Sequence, residues 1–237
     1  MTEPLLSLSG VDAHYGRAHI LHQVSLQVGA GTVVALLGRN GAGKSTTLKT
    51  LIGLTPASAG VIKFKGREIQ STPSYAISRM GVGYVPEERR IFTELTVLEN
   101  LDVGRQPARP GAPVWTPERL FELFPNLGEM RDRPGGRMSG GEQQMLTIAR
   151  TLMGNPTMIL LDEPSEGISP KIVEQMALTI GRLKSEGLTV LLSEQNLHFA
   201  ALVSDLAVVI EKGAVRWTGA MADLMADKAT REAYLTV

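Results

Sequence analysis

The sequence predicts an α/β protein. Its core is a mainly parallel sheet, with an antiparallel β layer at the N-terminal end and a helical subdomain inserted over about residues 90–140. Three observations predict this. The apolar run Val33–Leu37 enters a glycine-rich loop at Gly38 and continues into a helical pattern from Thr47 to Leu54. Across the second half, short apolar runs alternate with amphipathic segments, the pattern of parallel strands joined by crossover helices. Between Thr96 and Arg137 that alternation stops, and helix-period apolar positions and a proline-rich stretch replace it.

The elements follow in chain order. Leu5–Val11 and Ile20–Val28 alternate as strands, with Leu21, Val24, Leu26 and Val28 on the apolar face and Ala13-His14-Tyr15-Gly16 between them. Gly29-Ala30-Gly31 turns the chain into the buried strand Val33–Leu37. Gly60–Lys65 is a further strand, and Arg67–Ile69 extends its layer. Pro73–Met80 reads as helix, and Val82–Val85 is a short buried strand ending in Pro86-Glu87-Glu88-Arg89-Arg90.

In the insertion, Val97, Leu98 and Leu101 take helical spacing, and Leu120, Leu123 and Phe124 mark a second short helix. Prolines 107, 110, 113 and 117 make the segment between them a loop, on which Trp115 is expected to be exposed and to mark a contact surface. Ser139-Gly140-Gly141 starts a long helix through Met153, ended by Gly154-Asn155-Pro156. Met158–Leu161 is a buried strand leading into Asp162-Glu163-Pro164. Helix Pro170–Ser185, strand Thr189–Leu192, a hairpin around Lys212-Gly213 and short helices from Met221 to Leu235 complete the chain.

Composition narrows the function classes. The chain has 237 residues, 43% hydrophobic and 20% charged, enough apolar material for a sizeable core. Lys+Arg and Asp+Glu are equal at 24 each, which argues against bulk electrostatic binding to nucleic acid or anionic lipid. There is no Cys, so disulfides and thiol chemistry are excluded and a reducing compartment fits. Met1 to Ser9 lacks a basic start followed by a long apolar run, so no signal peptide is expected. No apolar segment approaches the roughly 20 residues that span a bilayer. The ten methionines are scattered and read as core filler.

Gly38-Arg39-Asn40-Gly41-Ala42-Gly43-Lys44-Ser45-Thr46 carries the G-x-x-x-x-G-K-S spacing of a phosphate-binding P-loop, between a strand and a helix as the pattern requires. Glycines let backbone N–H groups turn inward around a polyphosphate, and the helix N-terminus adds its positive dipole. Lys44 is expected on the β- and γ-phosphates and Ser45 on Mg²⁺. An apolar strand ending in Asp162-Glu163 supplies a carboxylate for Mg²⁺ and, in Glu163, a general base for the attacking water. Ser139-Gly140-Gly141 is a capped, glycine-rich helix start, either an ordinary N-cap or a second anion-binding site.

Taken together, these motifs resemble the ATP-binding subunits of ABC transporters over essentially the whole chain. Ser139-Gly140-Gly141-Glu142-Gln143 resembles that family's signature motif. The resemblance implies a RecA-like P-loop NTPase core and a head-to-tail dimer, each ATP lying between one P-loop and the signature residues Ser139, Gly140, Gly141 and Glu142 of the other subunit. Tyr15 stands where the family stacks adenine, and Glu87 where it usually has a Gln touching Mg²⁺, so that Ser45, Glu87 and Asp162 would hold the metal. The stretches Val85–Phe92, Met138–Arg150 and Ser193-Glu194-Gln195-Asn196 resemble one of the two ATPase subunits of branched-chain amino-acid importers, with the urea-importer ATPase a close relative. That resemblance implies two permease subunits, a second ATPase subunit, a periplasmic binding protein reached indirectly, and a peripheral position on the cytoplasmic face of the inner membrane. Heterodimer and homodimer both remain open.

Gln195 departs from the family, which has a His there on the γ-phosphate. A Gln can hydrogen-bond a phosphate oxygen but cannot carry a proton, so Gln195 is expected to sense the γ-phosphate with weaker transition-state stabilisation, the alternative being an ATP-sensing regulatory subunit with little hydrolysis. His198 reads as a helix-surface residue. Ser165-Glu166-Gly167 lacks the family's later Asp, and Arg89-Arg90 would face an acidic permease loop or stand solvated.

Overall fold

The computed structural model describes residues 3–235. Elements are numbered in chain order. The first layer is a four-stranded antiparallel sheet ordered β2-β1-β4-β5, from β1 (Leu6–Tyr15), β2 (Ala18–Val28), β4 (Ala57–Phe64) and β5 (Arg67–Glu68). Its buried face carries Leu6, Leu8, Leu21, Val24, Leu26, Val28, Ile62 and Phe64, so the period-2 reading of these strands holds. The segment expected between the first two strands is part of the hairpin itself. Pairing continues through His14↔His19 and Tyr15↔Ala18, and Gly16, with φ 58°, turns the chain within two residues.

The second layer is a six-stranded sheet ordered β10-β9-β3-β8-β7-β6. Its strands are β3 (Val33–Leu37), β6 (Val82–Val85), β7 (Met158–Asp162), β8 (Thr189–Glu194), β9 (Leu206–Glu211) and β10 (Ala214–Ala220). All neighbours pair parallel except β9 with β10. The central strand β3 is buried on both faces. Val33, Ala35 and Leu37 pack into one core, and Val34 and Leu36 into the other. This explains its unbroken apolar sequence.

The core holding Val34 lies between the two sheets and includes Leu48 and Leu51 of α1 (Lys44–Leu51). The other face is covered by α6 (Gly140–Leu152), α7 (Pro170–Ser185), α8 (Leu197–Val203) and the inserted helices. The loop between β9 and β10 fastens the layers together: the Gly213 N–H donates to Ala42 O at 2.8 Å, and its carbonyl accepts from the His22 N–H at 2.8 Å. A side chain at Gly213 would strike Ile20 O at 1.9 Å, so this close approach requires glycine. Helices α2 (Ser74–Arg79), α9 (Met221–Ala226) and α10 (Lys228–Tyr234) are peripheral.

Between β6 and α6 the chain forms α3 (Val97–Gly104), α4 (Pro117–Leu123), α5 (Pro125–Glu129) and a 3-10 turn at Gly135–Arg137. Helix α3 starts with a capping box, in which Thr96 Oγ1 accepts from the Glu99 N–H and Glu99 Oε2 accepts from the Thr96 N–H. One expectation is corrected here. Trp115 is not exposed but 3% accessible, and it belongs to the core beneath the helices. Asn155, past the end of α6, draws the proline-rich loop inward. Its Oδ1 accepts from the Trp115 N–H at 2.7 Å, and its Nδ2 donates to Gln106 O at 2.8 Å.

Candidate nucleotide site

The P-loop wraps the end of β3. Gly38 lies so close to β9 that a Cβ there would stand 2.4 Å from Ile210 O, which explains a glycine at the first motif position. Helix α1 begins after Gly43, whose φ of 108° opens the loop. Lys44 is 3% exposed and uses all three donors, to Gly38 O at 2.9 Å, Arg39 O at 3.2 Å and Glu163 Oε1 at 3.1 Å. The loop lysine and the candidate general base are thus a buried ion pair. Such a pair is sensitive to loss of either partner, because the survivor is left as an uncompensated buried charge.

Glu163 follows the end of β7 with φ 47°, a left-handed conformation rare for a residue with a side chain. Ser193, on the neighbouring β8, holds it there. The Glu163 N–H donates to both the carbonyl and the hydroxyl of Ser193 at 3.1 Å. The same hydroxyl donates to Asp162 Oδ1 at 2.7 Å, while Tyr84 OH donates to Asp162 Oδ2 at 3.0 Å. Burial, then the Asp162 charge and hydrogen bond, push the Tyr84 phenol well above its usual range, so it stays a donor. Glu163 Oε2 is buried and accepts from no N–H or hydroxyl group, so a protonated Glu166, a ligand or a water can donate to it.

A cavity of about 460 Å³ opens over this arrangement, lined by Tyr15, Asn40, Gly41, Gly43, Lys44, Ser45, Thr46, Glu87, Glu163 and Glu166, with Ile20 beneath. It therefore joins the P-loop, Tyr15, Glu87 and Glu163. Tyr15 stands half exposed at its rim, its hydroxyl hydrogen-bonded to Thr55 Oγ1 at 3.1 Å. Arg39 and Gln195 line a neighbouring pocket, with Asn196 and Leu235, that shares Asn40 with the first cavity. Asp162, 1% exposed, does not line the cavity. Ser139, Gly140, Gly141 and Glu142 form the start of α6 and do not line the cavity. There Ser139 Oγ accepts from the Glu142 N–H and Glu142 Oε2 accepts from the Ser139 N–H at 2.7 Å. This is a capping box, which the S-x-x-E spacing announces.

Sequence reasoning missed Ser193, Tyr84 and Glu166. Only position could have signalled the first two, since each points from the end of a neighbouring parallel strand. Glu166 had a readable signal as a third acid close behind Asp162-Glu163. Its carboxyl is pushed up to about 7, chiefly by hydrogen bonding to Glu163, then by burial and by the charges of Glu163, Glu87 and Glu194. Glu194 is also raised, by burial, while its oxygens accept from the Ser165 and Asn196 N–H groups and join the loops after β7 and β8.

A model of the ABC transporter family matches residues 21–166. The chain belongs to that family. It is 43% identical over 231 residues to the high-affinity branched-chain amino acid transport ATP-binding protein BraG of Pseudomonas aeruginosa, covering 98% of this chain and 99% of BraG. It is 35% identical over 225 residues to the lipopolysaccharide export system ATP-binding protein LptB of Escherichia coli, covering 94% of this chain and 93% of LptB. Its fold superposes on the crystal structure of the ADP conformation of MJ1267, an ATP-binding cassette of an ABC transporter. The TM-score is 0.82 at 26% identity, with 98% of each chain covered. As an ABC transporter ATPase, the chain binds nucleotide. Among the described residues no helix is long and apolar enough to cross a membrane.

Proposed function

We propose that this chain is the ATP-hydrolysing subunit of an importer for branched-chain amino acids. The observation that carries the chemistry is Glu163. It is buried beside the P-loop, tied to Lys44 through one oxygen and left with an acceptor on the other. Adenine stacks on Tyr15, the loop Gly38–Thr46 wraps the phosphates, and Glu163 takes the proton of the attacking water. The likeness to BraG along the whole chain favours branched-chain amino acids as cargo. The weaker likeness to LptB favours a second reading, lipopolysaccharide export.

Mg²⁺ fits the residues present. The Ser45 hydroxyl and the Glu87 carboxylate line the cavity, and Asp162 has both oxygens already hydrogen-bonded. Among the described residues no three acidic or imidazole side chains converge as ligands. A cation that binds through few protein oxygens, phosphate oxygens and water suits such a set. When bound, Mg²⁺ would neutralise phosphate charge.

In this reading the whole chain is one nucleotide-binding domain, with a helical subdomain over about 90–140. It pairs head-to-tail with a second ATPase subunit, whose ATP meets Ser139, Gly140, Gly141 and Glu142. The pair docks on two permease subunits at the cytoplasmic face of the membrane, with a periplasmic solute-binding protein supplying cargo. Gln195 senses the γ-phosphate from the shoulder of the P-loop.

Steady-state ATPase of the co-purified complex tests the scheme. Glu163→Gln is expected to lower turnover by about a hundredfold or more, and Gln195→His to raise it. Leucine uptake into proteoliposomes should follow turnover. Undiminished turnover in Glu163→Gln would overturn the assignment of the base, and ATP-driven lipid export without amino-acid uptake would overturn the cargo.

A further inference from the structure

We propose that Arg89 is a further substrate-contacting residue of the ATPase reaction. Its guanidinium, together with the start of α6, forms the seat for the terminal phosphate of the ATP presented by the second subunit. The inference rests on the head-to-tail reading above and adds a residue to it.

Arg89 and Arg90 are consecutive non-glycine residues with φ of 63° and 50°. A left-handed conformation costs such residues about 1–2 kcal/mol each, so something must hold them there. Helix α6 does so. The Thr147 hydroxyl donates to Arg89 O at 2.9 Å, and Arg150 Nη2 donates to Arg90 O at 2.7 Å. The strained turn aims the Arg89 side chain back along the helix to its first residue. A Cβ on Gly140 would stand 2.7 Å from Arg89 Nη1 and 3.3 Å from Cζ, and one on Gly167 would stand 3.7 Å from Nη2. The guanidinium therefore spans the gap between the start of α6 and the loop that follows Glu163 and Glu166.

That is an unfavourable place for a cation on its own. The helix start carries roughly half a positive charge, and its first N–H groups have no partner within the helix. Among the described residues the Arg89 guanidinium makes no hydrogen bond or ion pair to a carboxylate. The nearest acid on the helix, Glu142, is engaged by the Ser139 N–H at 2.7 Å. The guanidinium fork and the N–H groups of Gly140 and Gly141, which the capping box leaves without an acceptor, thus converge on one point, while the Glu142 carboxylate is turned to the Ser139 N–H. A tetrahedral phosphate, with several oxygens, can accept from both at once. ADP lacks the phosphate that would reach this point, so Arg89 would make the closed dimer selective for ATP.

The test uses the co-purified complex, measuring ATPase kcat and KM together with inhibition by ADP. Arg89→Gln is expected to lower kcat/KM for ATP by roughly ten- to a hundredfold, the scale of a lost charge-assisted hydrogen bond. The inhibition constant for ADP, held by the P-loop, should stay within about twofold on this account. Arg89→Lys keeps the charge but loses the fork, and should recover part of the loss. Equal weakening of ATP and ADP would overturn the proposal, since it would mean that Arg89 only supports the fold. So would an Arg89→Lys variant no better than Arg89→Gln, or one that fails to fold. A Gly141→Asp variant separates the two levels of the argument. If it abolishes activity and Arg89→Gln does not, Arg89 alone is wrongly assigned. If neither matters, the head-to-tail site itself is wrong.

Discussion

Glu166 sits in the candidate nucleotide cavity beside Glu163 with its carboxyl raised from 4.5 to about 7, first by hydrogen bonding to Glu163. A raised carboxyl holds its proton more tightly in the folded chain than in the unfolded one. The stability it contributes is therefore full below about 4.5 and is lost as pH rises through 7. The same proton governs charge in the cavity. Below pH 7 Glu166 is neutral, and above it another negative charge joins Glu163 and Glu87 against an incoming polyphosphate. Apparent ATP affinity should thus fall between pH 6 and 8 in the wild type, and fall less in Glu166→Gln. Nucleotide titrations at those two pH values check this, and parallel profiles would refute it.

At the scale of elements, the site depends on how each strand or helix ends. Strands β6, β7 and β8 lie side by side and parallel, so Tyr84, Asp162 and Ser193 meet at their C-terminal ends. Helix α3 has a comparable internal anchor in Asn100. Fully buried, it donates through Nδ2 to Phe92 O, Leu95 O and Thr96 O, and its Oδ1 accepts from the Phe92 N–H. It fixes the loop that connects Arg89 and Arg90 to the inserted helices. Asn100→Ala leaves these groups without partners and is expected to cost about 2–3 kcal/mol. That is a Tm lowered by about 4–12 °C in a chain of this size. A shift under about 1 °C by calorimetry would show that water replaces the side chain at no cost.

For the whole molecule, the inserted helices and the parallel sheet share one core. Val97, Leu101, Trp115 and Leu120 belong to the same buried cluster as Val33, Val190 and Leu192. The inserted helices bury their apolar side against α6 and one another within the same core that covers the sheet, so they have no independent core and the chain should unfold in one transition. Trp115→Ala removes a large side chain from the middle of this cluster and is expected to destabilise the entire protein by about 3–5 kcal/mol. Far-UV circular dichroism and tryptophan fluorescence, which still reports Trp217, should move together. Two separated transitions would show an autonomous helical unit.

The sequence by itself determined the layers of the fold and the ATPase family. A glycine-rich loop after an apolar strand, an acidic pair at a strand end and a Ser-Gly-Gly helix start are each local patterns, and backbone geometry forces such patterns to recur in a chain. The apolar runs likewise identified β3, β7 and β8, because strands buried on both faces have no polar positions. Tertiary structure decided the rest. Trp115 looked exposed because proline and glycine surround it; a distant Asn155 folds its loop inward. The left-handed backbone of Glu163, its pairing with Lys44, the bridge from Ser193 to Asp162 and the placement of Arg89 against Gly140 all join residues far apart in the chain. Periodicity reports which face of an element is buried. It carries no information about which side chain from another element arrives there, and only the order of strands and the packing of helices supply that.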